Sequence, residues 1–135
     1  MIFLDTNICI AALRGNARVA TRLIQHGNRV RLPFVVVAEL EFGIEKARAL
    51  GKPVDAAQQR LQAFLLRIPE TAALTADALS AYATIRAKLE VAGKPIGTND
   101  LWIAAQVLSE DGVLVSANTR EFSRVQGLRL ENWLK

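Results

Sequence analysis

Short apolar runs alternate along this chain with longer stretches of helical periodicity, and that alternation is the strongest constraint on its fold. Ile2-Phe3-Leu4, Val30-Arg31-Leu32 and Val113-Leu114-Val115 have the length and composition of buried strands. Asp5-Thr6-Asn7 can open a helix after the first run, Asn16 can cap a second from Ala17 to about Gln25, and Thr75 a long one reaching Val91. On the second helix, Val19, Leu23 and Ile24 predict an inward stripe, with Arg18 and Arg22 on the outward face and Gly27-Asn28 closing it. Pro33 is expected in the first turn of a helix that carries Val37, Leu40 and Ile44 inward as far as Leu50, although Phe34-Val35-Val36-Val37 has strand propensity. Gly51-Lys52-Pro53 breaks the pattern, and residues 54–66 resume it. Arg67 to Ala73 can hold a short third strand; after a loop at residues 93–97, Thr98 or Asn99 caps a helix from Asp100 to about Glu110. Such alternation predicts an α/β sandwich with a mainly parallel sheet, helices on both faces, and a ligand crevice beyond the strands' carboxyl ends. Asp5 and the Ser116-Ala117-Asn118 turn both fall at that edge.

A length of 135 residues, 51% of them hydrophobic, is enough for one core, so residues 1–135 are expected to form one domain. The net charge of +4 and a pI near 9.7 favour a polyanionic partner, though a basic solvated surface satisfies the same numbers. Cys9 stands alone, which rules out an intramolecular disulfide or a cysteine metal cage and fits a reducing cytoplasm. Its neighbours Ile8 and Ile10 mark it as a buried core residue rather than a nucleophile. Met1 to Leu13 lacks the basic start of a secretory signal, and no apolar run reaches membrane-spanning length.

Three carboxylates interrupt apolar sequence: Asp5, Glu39 and Asp100. A buried carboxylate without compensation costs several kcal/mol, so each needs a cation, a helix amino end or a metal. Each also has a plainer reading: Asp5 as a helix cap, Glu39 as part of a solvated face with Glu41 and Glu45, and Asp100 as a first-turn charge favoured by the helix dipole. If the three converge, their repulsion calls for a divalent cation, and an all-oxygen donor set suits magnesium or manganese rather than zinc. His26, the single histidine, sits beside Gly27-Asn28 and is expected to face solvent. Trp102 is expected to pack rather than stack on a base.

At these motifs the chain resembles the PIN-domain superfamily of nucleases, and within it the VapC toxins of bacterial VapBC toxin–antitoxin modules. The segments that carry the resemblance are Leu4-Asp5-Thr6-Asn7-Ile8, Ala38-Glu39-Leu40-Glu41-Phe42-Gly43, Pro95-Ile96-Gly97-Thr98-Asn99-Asp100 with Ile103-Ala104-Ala105, and Val115-Ser116-Ala117-Asn118-Thr119-Arg120-Glu121-Phe122. The ending, from Val125 to Trp133, is similar to the closing segment of one VapC subgroup.

The resemblance implies a PIN-like three-layer α/β/α sandwich. It also implies a magnesium-dependent endoribonuclease centred on Asp5, Glu39 and Asp100, binding the ion directly or through water, with manganese a possible substitute. Asn118 stands where many members carry a fourth Asp, so it can orient water or make a weak metal contact but adds no charge; Glu121 is the nearest acidic substitute. One well-held ion is expected, a second depending on bound RNA. Thr6 and Ser116 offer hydroxyls that can hydrogen-bond the acids, while Asn7 is expected only to cap its helix. Arg14, Lys94 and Arg120 are the cations nearest the motifs and could guide an RNA backbone.

Further implications of the resemblance are a VapB antitoxin whose carboxyl-terminal segment covers the acidic pocket, a homodimer assembling into a toxin–antitoxin hetero-oligomer, and apolar content in residues 34–66 compatible with a helical interface. Initiator tRNA cut in its anticodon loop, leaving a 3′-hydroxyl and a 5′-phosphate, is the substrate the subgroup suggests. Two other readings stay open at this point: a non-catalytic RNA-binding PIN domain, and a phospho-accepting receiver-like domain, although the adjacent acidic pair near the first strand that a receiver needs is missing.

Overall fold

A computed structural model describes residues 1–68 and 71–135. Its centre is a five-stranded parallel sheet in the order β3-β2-β1-β4-β5, built from β1 (Ile2–Leu4), β2 (Val30–Pro33), β3 (Thr71–Ala72), β4 (Val113–Val115) and β5 (Arg129–Glu131). The register sets Ile2 against Val30 on one side and against Val113 on the other, and Val113 against Arg129. Neighbouring residues of a strand face opposite sides, yet Phe3 and Leu4 are both fully buried, as are Leu114 and Val115. Helices therefore cover both faces, giving the expected three layers.

Among the described residues seven α-helices connect the strands: α1 (Thr6–Leu13), α2 (Ala17–His26), α3 (Phe34–Ala49), α4 (Asp55–Arg67), α5 (Ala76–Val91), α6 (Thr98–Ser109) and the single turn α7 (Thr119–Phe122). Local chemistry starts several of them as expected. Asn16 accepts from the Val19 amide at 3.1 Å and Thr75 from that of Ala78 at 3.1 Å. Gly51, at φ +77°, turns the chain between α3 and α4 in a conformation that glycine adopts at little cost.

Several boundaries differ from expectation. Pro33 ends β2 and precedes α3 rather than lying in its first turn, and the strand-prone 34–37 run is helical. α6 starts at Thr98 after Gly97, so neither Thr98 nor Asn99 is its cap and Asp100 is the third helical residue. Ile24 is 86% exposed, not inward. It lies about 140° around the helix from buried Val19, whereas Leu23 lies only about 40° away. Of the third strand expected over 67–73, Thr71–Ala72 forms β3, Arg67 ends α4, and residues 69 and 70 fall outside the described residues. β5 and α7 were not expected: Arg-Leu-Glu at a sheet edge has no apolar run to mark it.

The chain lays down β1, β2 and β3 outward in one direction, then returns to place β4 on the other side of β1. That reversal opens a crevice between the carboxyl ends of β1 and β4. No described helix is long and apolar enough to cross a membrane.

Candidate active site

Asp5 sits at that reversal. Its amide donates to Val115 O at 2.9 Å, extending the β1–β4 ladder by one step, and its side chain then caps α1, with Oδ1 accepting from the Thr6 amide at 2.8 Å. Oδ2 accepts from Ser116 Oγ at 2.6 Å and from Asn7 Nδ2 at 3.3 Å. Asp5 is only 4% exposed. Burial raises the pKa of its carboxyl, while the bonds from Ser116, Thr6 and Asn7 oppose that shift.

Two other elements begin at the same edge, because each runs back across the sheet after or before a strand. α3 starts directly after β2 and presents Glu39 in its second turn, half-buried. α6 runs toward the amino end of β4, so its first turn, with half-buried Asp100, lies at the carboxyl edge. The Glu39 carboxyl is pushed up by burial and by the Asp5 charge, with the nearby Thr6 hydroxyl favouring its ionised form. That hydroxyl is buried and closes no hydrogen bond of regular geometry among the described residues.

Asp100 is pushed up to about 7, first by burial, then by the charge of Asp5, by Glu121 through both hydrogen bonding and charge, and by Glu39. Asn118 joins the group from the β4–α7 turn. Its backbone N–H donates to Ser116 Oγ at 2.9 Å, and its Nδ2 donates to Glu121 Oε2 at 3.2 Å and, more distantly, to Asp100 Oδ2 at 3.5 Å. The structure thus brings Asp5, Glu39 and Asp100 to one crevice, and Ser116 touches Asp5 directly.

Sequence reasoning underestimated three residues. Glu121, expected only as the nearest substitute for a fourth acid, is half-buried and acts directly on Asp100. Asn7 does more than start a helix: its Nδ2 reaches Asp5, and its Oδ1 accepts from the Ala117 amide at 3.2 Å, tying α1 to the β4–α7 turn. Gln106, buried on α6, accepts from the Phe34 amide at 3.0 Å through Oε1 and donates through Nε2 to Ala72 O at 2.8 Å and Ala73 O at 3.2 Å. It therefore anchors the amino end of the helix that carries Glu39. A lone glutamine in the apolar run Ile103-Ala104-Ala105-Gln106-Val107 was its signal.

Of the cations proposed as RNA guides, Arg14 shares a groove of about 390 Å³ with Glu39, between α1, α3 and α4. Lys94 and Arg120 are exposed and, among the described residues, make no side-chain bond to the acids. Arg124 instead ties α7 to the loop before α6, donating to Pro95 O at 3.1 Å. Cys9 is buried, with its thiol pushed well up by desolvation. His26 does not face solvent as expected: it is half-buried against Trp133, ring centroids 5.9 Å apart, and its Nδ1 has no partner among the described residues. The buried Trp133, distant in sequence, recruits it. Trp102 packs as expected, stacked at 3.9 Å on Tyr82 of α5.

The donor chemistry and charge of this crevice fit a hard divalent cation: oxygen atoms only, with carboxylates that raise one another's pKa where no positive charge offsets them. The cage is not closed in advance, for among the described residues no three acids, histidines or cysteines stand in metal-binding geometry.

Comparison with known proteins then identifies the fold. The PIN domain family profile matches residues 2–128. This chain belongs to the PIN-domain family. Within that family it is of the VapC type. Ribonuclease VapC2 of Rickettsia felis is 36% identical over 135 residues, covering 98% of this chain and 97% of that one. The tRNA(fMet)-specific endonuclease VapC of Shigella flexneri is 36% identical over 133 residues, 96% of each. Among solved structures, VapBC2 of Rickettsia felis bound to a promoter DNA fragment matches with a TM-score of 0.89 at 34% identity, over 98% of this PIN domain and 99% of that chain. VapBC-1 of nontypeable Haemophilus influenzae matches with a TM-score of 0.86 at 29% identity over the whole of both chains. A PIN nuclease of this type leaves no place for the receiver-domain alternative.

Proposed function

We propose that this VapC-type toxin ribonuclease hydrolyses phosphodiester bonds of structured RNA with magnesium, or manganese in its place, held by Asp5 and Asp100 and by Glu39 directly or through water. The observation that carries the reading is the single crevice beyond the carboxyl ends of β1 and β4 that gathers Asp5, Glu39, Asp100 and Glu121, with Ser116 bonded to Asp5 and Asn118 reaching both Asp100 and Glu121. A bound divalent cation supplies a water of lowered pKa and neutralises charge that develops on the phosphate. The protein's own part is positional. Ser116, Asn7 and the Thr6 amide hold the Asp5 carboxylate in place and favour its ionised form. Asn118 restrains Asp100 and Glu121 without adding charge, which suits one well-held ion.

Initiator tRNA, cut in the anticodon loop to leave a 3′-hydroxyl and a 5′-phosphate, is the substrate proposed by likeness to the Shigella flexneri relative. A VapB-type antitoxin is the proposed partner, since the Rickettsia felis and Haemophilus influenzae neighbours were solved as VapBC complexes. The groove beside Glu39, with Leu40 and Ile44 along it and Arg14, Lys52 and Arg60 as its cations, suits an amphipathic inhibitory segment. Exposed Phe34, Phe42 and Leu50 supply apolar surface for a second copy of the chain. The buried free Cys9 is in keeping with a cytoplasmic setting.

Incubation of purified protein with an initiator tRNA transcript tests the site. Cleavage is expected with magnesium and lost in chelator, and Asp5→Asn and Asp100→Asn each reduce the rate by a factor of about 100 or more while keeping the wild-type circular dichroism. Undiminished cleavage by Asp100→Asn, or in chelator, overturns the assignment.

A further inference from the structure

Positive charge is unevenly distributed in this molecule. From Thr6 to Ala38 the chain contains no acidic residue but carries Arg14, Arg18, Arg22, Arg29 and Arg31, so that segment accounts for the whole +4 excess. On α2, Arg18, Arg22 and Gln25 recur at helical spacing along one exposed face, and Arg29 continues it in the short turn before β2. Among the described residues the ion pairs are Arg48–Glu45, Arg86–Glu90 and Arg129–Asp111, and none involves Arg18, Arg22 or Arg29. Like charges four residues apart on a helix repel. Here no acid of the helix offsets them.

The carboxyl-terminal segment completes a concave surface beside this face. Trp133 is buried and stacks on His26, and its Nε1 donates to Glu131 Oε2 at 3.0 Å. Asn132 Oδ1 accepts from the Leu134 amide at 2.9 Å, and Arg18 Nη1 reaches Leu134 O at 3.5 Å. Held in this way, the segment walls a cleft of about 440 Å³ with Arg18, Arg22 and Gln25 on α2 and Trp133 and Lys135 opposite. Among the described residues no carboxylate side chain lines it.

We propose that this face is a second RNA contact, a site for the phosphate backbone separate from the acidic crevice, which holds folded RNA while another part of it is cut. The proposal rests on the ribonuclease reading. The charge is of the sign that phosphate requires, and guanidinium groups suit it geometrically. Position sets the class of ligand. The cleft starts beside the carboxyl edge, where Glu131 pairs with Val115 just before the segment that walls it, and α2 carries the basic face on through Arg29 to Val30 at the amino end of β2. An RNA that follows this face from one edge of the sheet toward the other is longer than the few nucleotides that a crevice at a single edge holds, which points to a folded RNA.

Binding of a tRNA transcript, followed by fluorescence anisotropy in chelator over a salt titration, tests this without requiring cleavage. For Arg18→Gln/Arg22→Gln the Kd is expected to rise roughly 10-fold, and the slope of log K against log salt to shrink by about 1.4 to 1.8. With magnesium, KM for tRNA rises while kcat, and cleavage of a short single strand, stay unchanged. Arg22→Gln/Arg29→Gln is expected to behave likewise, and it leaves the Arg18–Leu134 contact intact. Unchanged affinity and slope in both variants overturn the proposal, as does an equal loss in Lys46→Gln/Lys88→Gln, which removes the same charge elsewhere. Weakened antitoxin binding with unchanged RNA binding also overturns it, by assigning the face to a protein. If the wild type binds tRNA through these arginines but never cuts it, the ribonuclease reading fails and the binding site stands.

Discussion

At Ser116 one hydroxyl serves two groups, donating to Asp5 at 2.6 Å and accepting from the Asn118 amide at 2.9 Å. Ser116→Ala removes the shortest of the bonds that favour ionised Asp5 and leaves a buried acceptor and a backbone donor short of partners. A lost bond to a charged buried group costs about 2 kcal/mol. The expected result is a melting temperature lower by several degrees together with a reduced kcat, because the carboxylate is both less ionised and less fixed. Ser116→Thr, which retains the hydroxyl, recovers part of both. Unaltered melting and activity in Ser116→Ala would remove this serine from the site. Asp5 itself was legible as a lone acid after an apolar run. Its partner Ser116 was expected by resemblance, and Asn7, which also touches it, was read only as a cap, since the bond from Ala117 comes from the far end of the chain.

At the scale of elements, α3 and α6 each bring one acid to the crevice, and Gln106 links them. Phe34 is the first residue of α3, where a backbone N–H has no partner within its own helix. Gln106 supplies the acceptor and binds the segment after β3 with the other end of its amide. Gln106→Leu conserves much of the volume but leaves that N–H and two carbonyl groups without it, and a loss of about 2–3 kcal/mol is expected by chemical denaturation. Activity is expected to fall with it even under conditions where the protein stays folded, because α3 loses the anchor that positions Glu39. Stability within about 0.5 kcal/mol of wild type would show the anchor to be dispensable.

Across the whole molecule, the carboxylate cluster couples folding to protons and cations. Asp100 has an ordinary pKa of 3.8 and is pushed up to about 7 in the fold, and Asp5 and Glu39 shift in the same direction. The folded state therefore binds protons more tightly than the unfolded chain. This contribution to stability is fully present below about pH 4 and is lost as the pH rises through about 7. In chelator, the melting temperature is expected to decline over that window, less steeply in Asp100→Asn. Millimolar magnesium should raise it more at about pH 8 than at about pH 5, because cation and proton compete for the same oxygens. A magnesium effect independent of pH would argue against binding at these acids.

Features legible in the chain before folding are local. The β1 run, the caps at Asn16 and Thr75, the turn at Gly51 and the placement of Asp5 at a strand end and Asp100 in a first helical turn depend on groups within a few residues of one another. Hydrogen-bond geometry and periodicity decide them before any distant contact forms. Convergence belongs to the folded molecule: β4 lies beside β1, so Ser116 meets Asp5 across 111 residues; Glu121 crowds Asp100; Gln106 anchors α3; and Trp133 draws His26 out of solvent. None of these follows from spacing along the chain, because each pairs residues that only the order of strands and the competition for burial bring together.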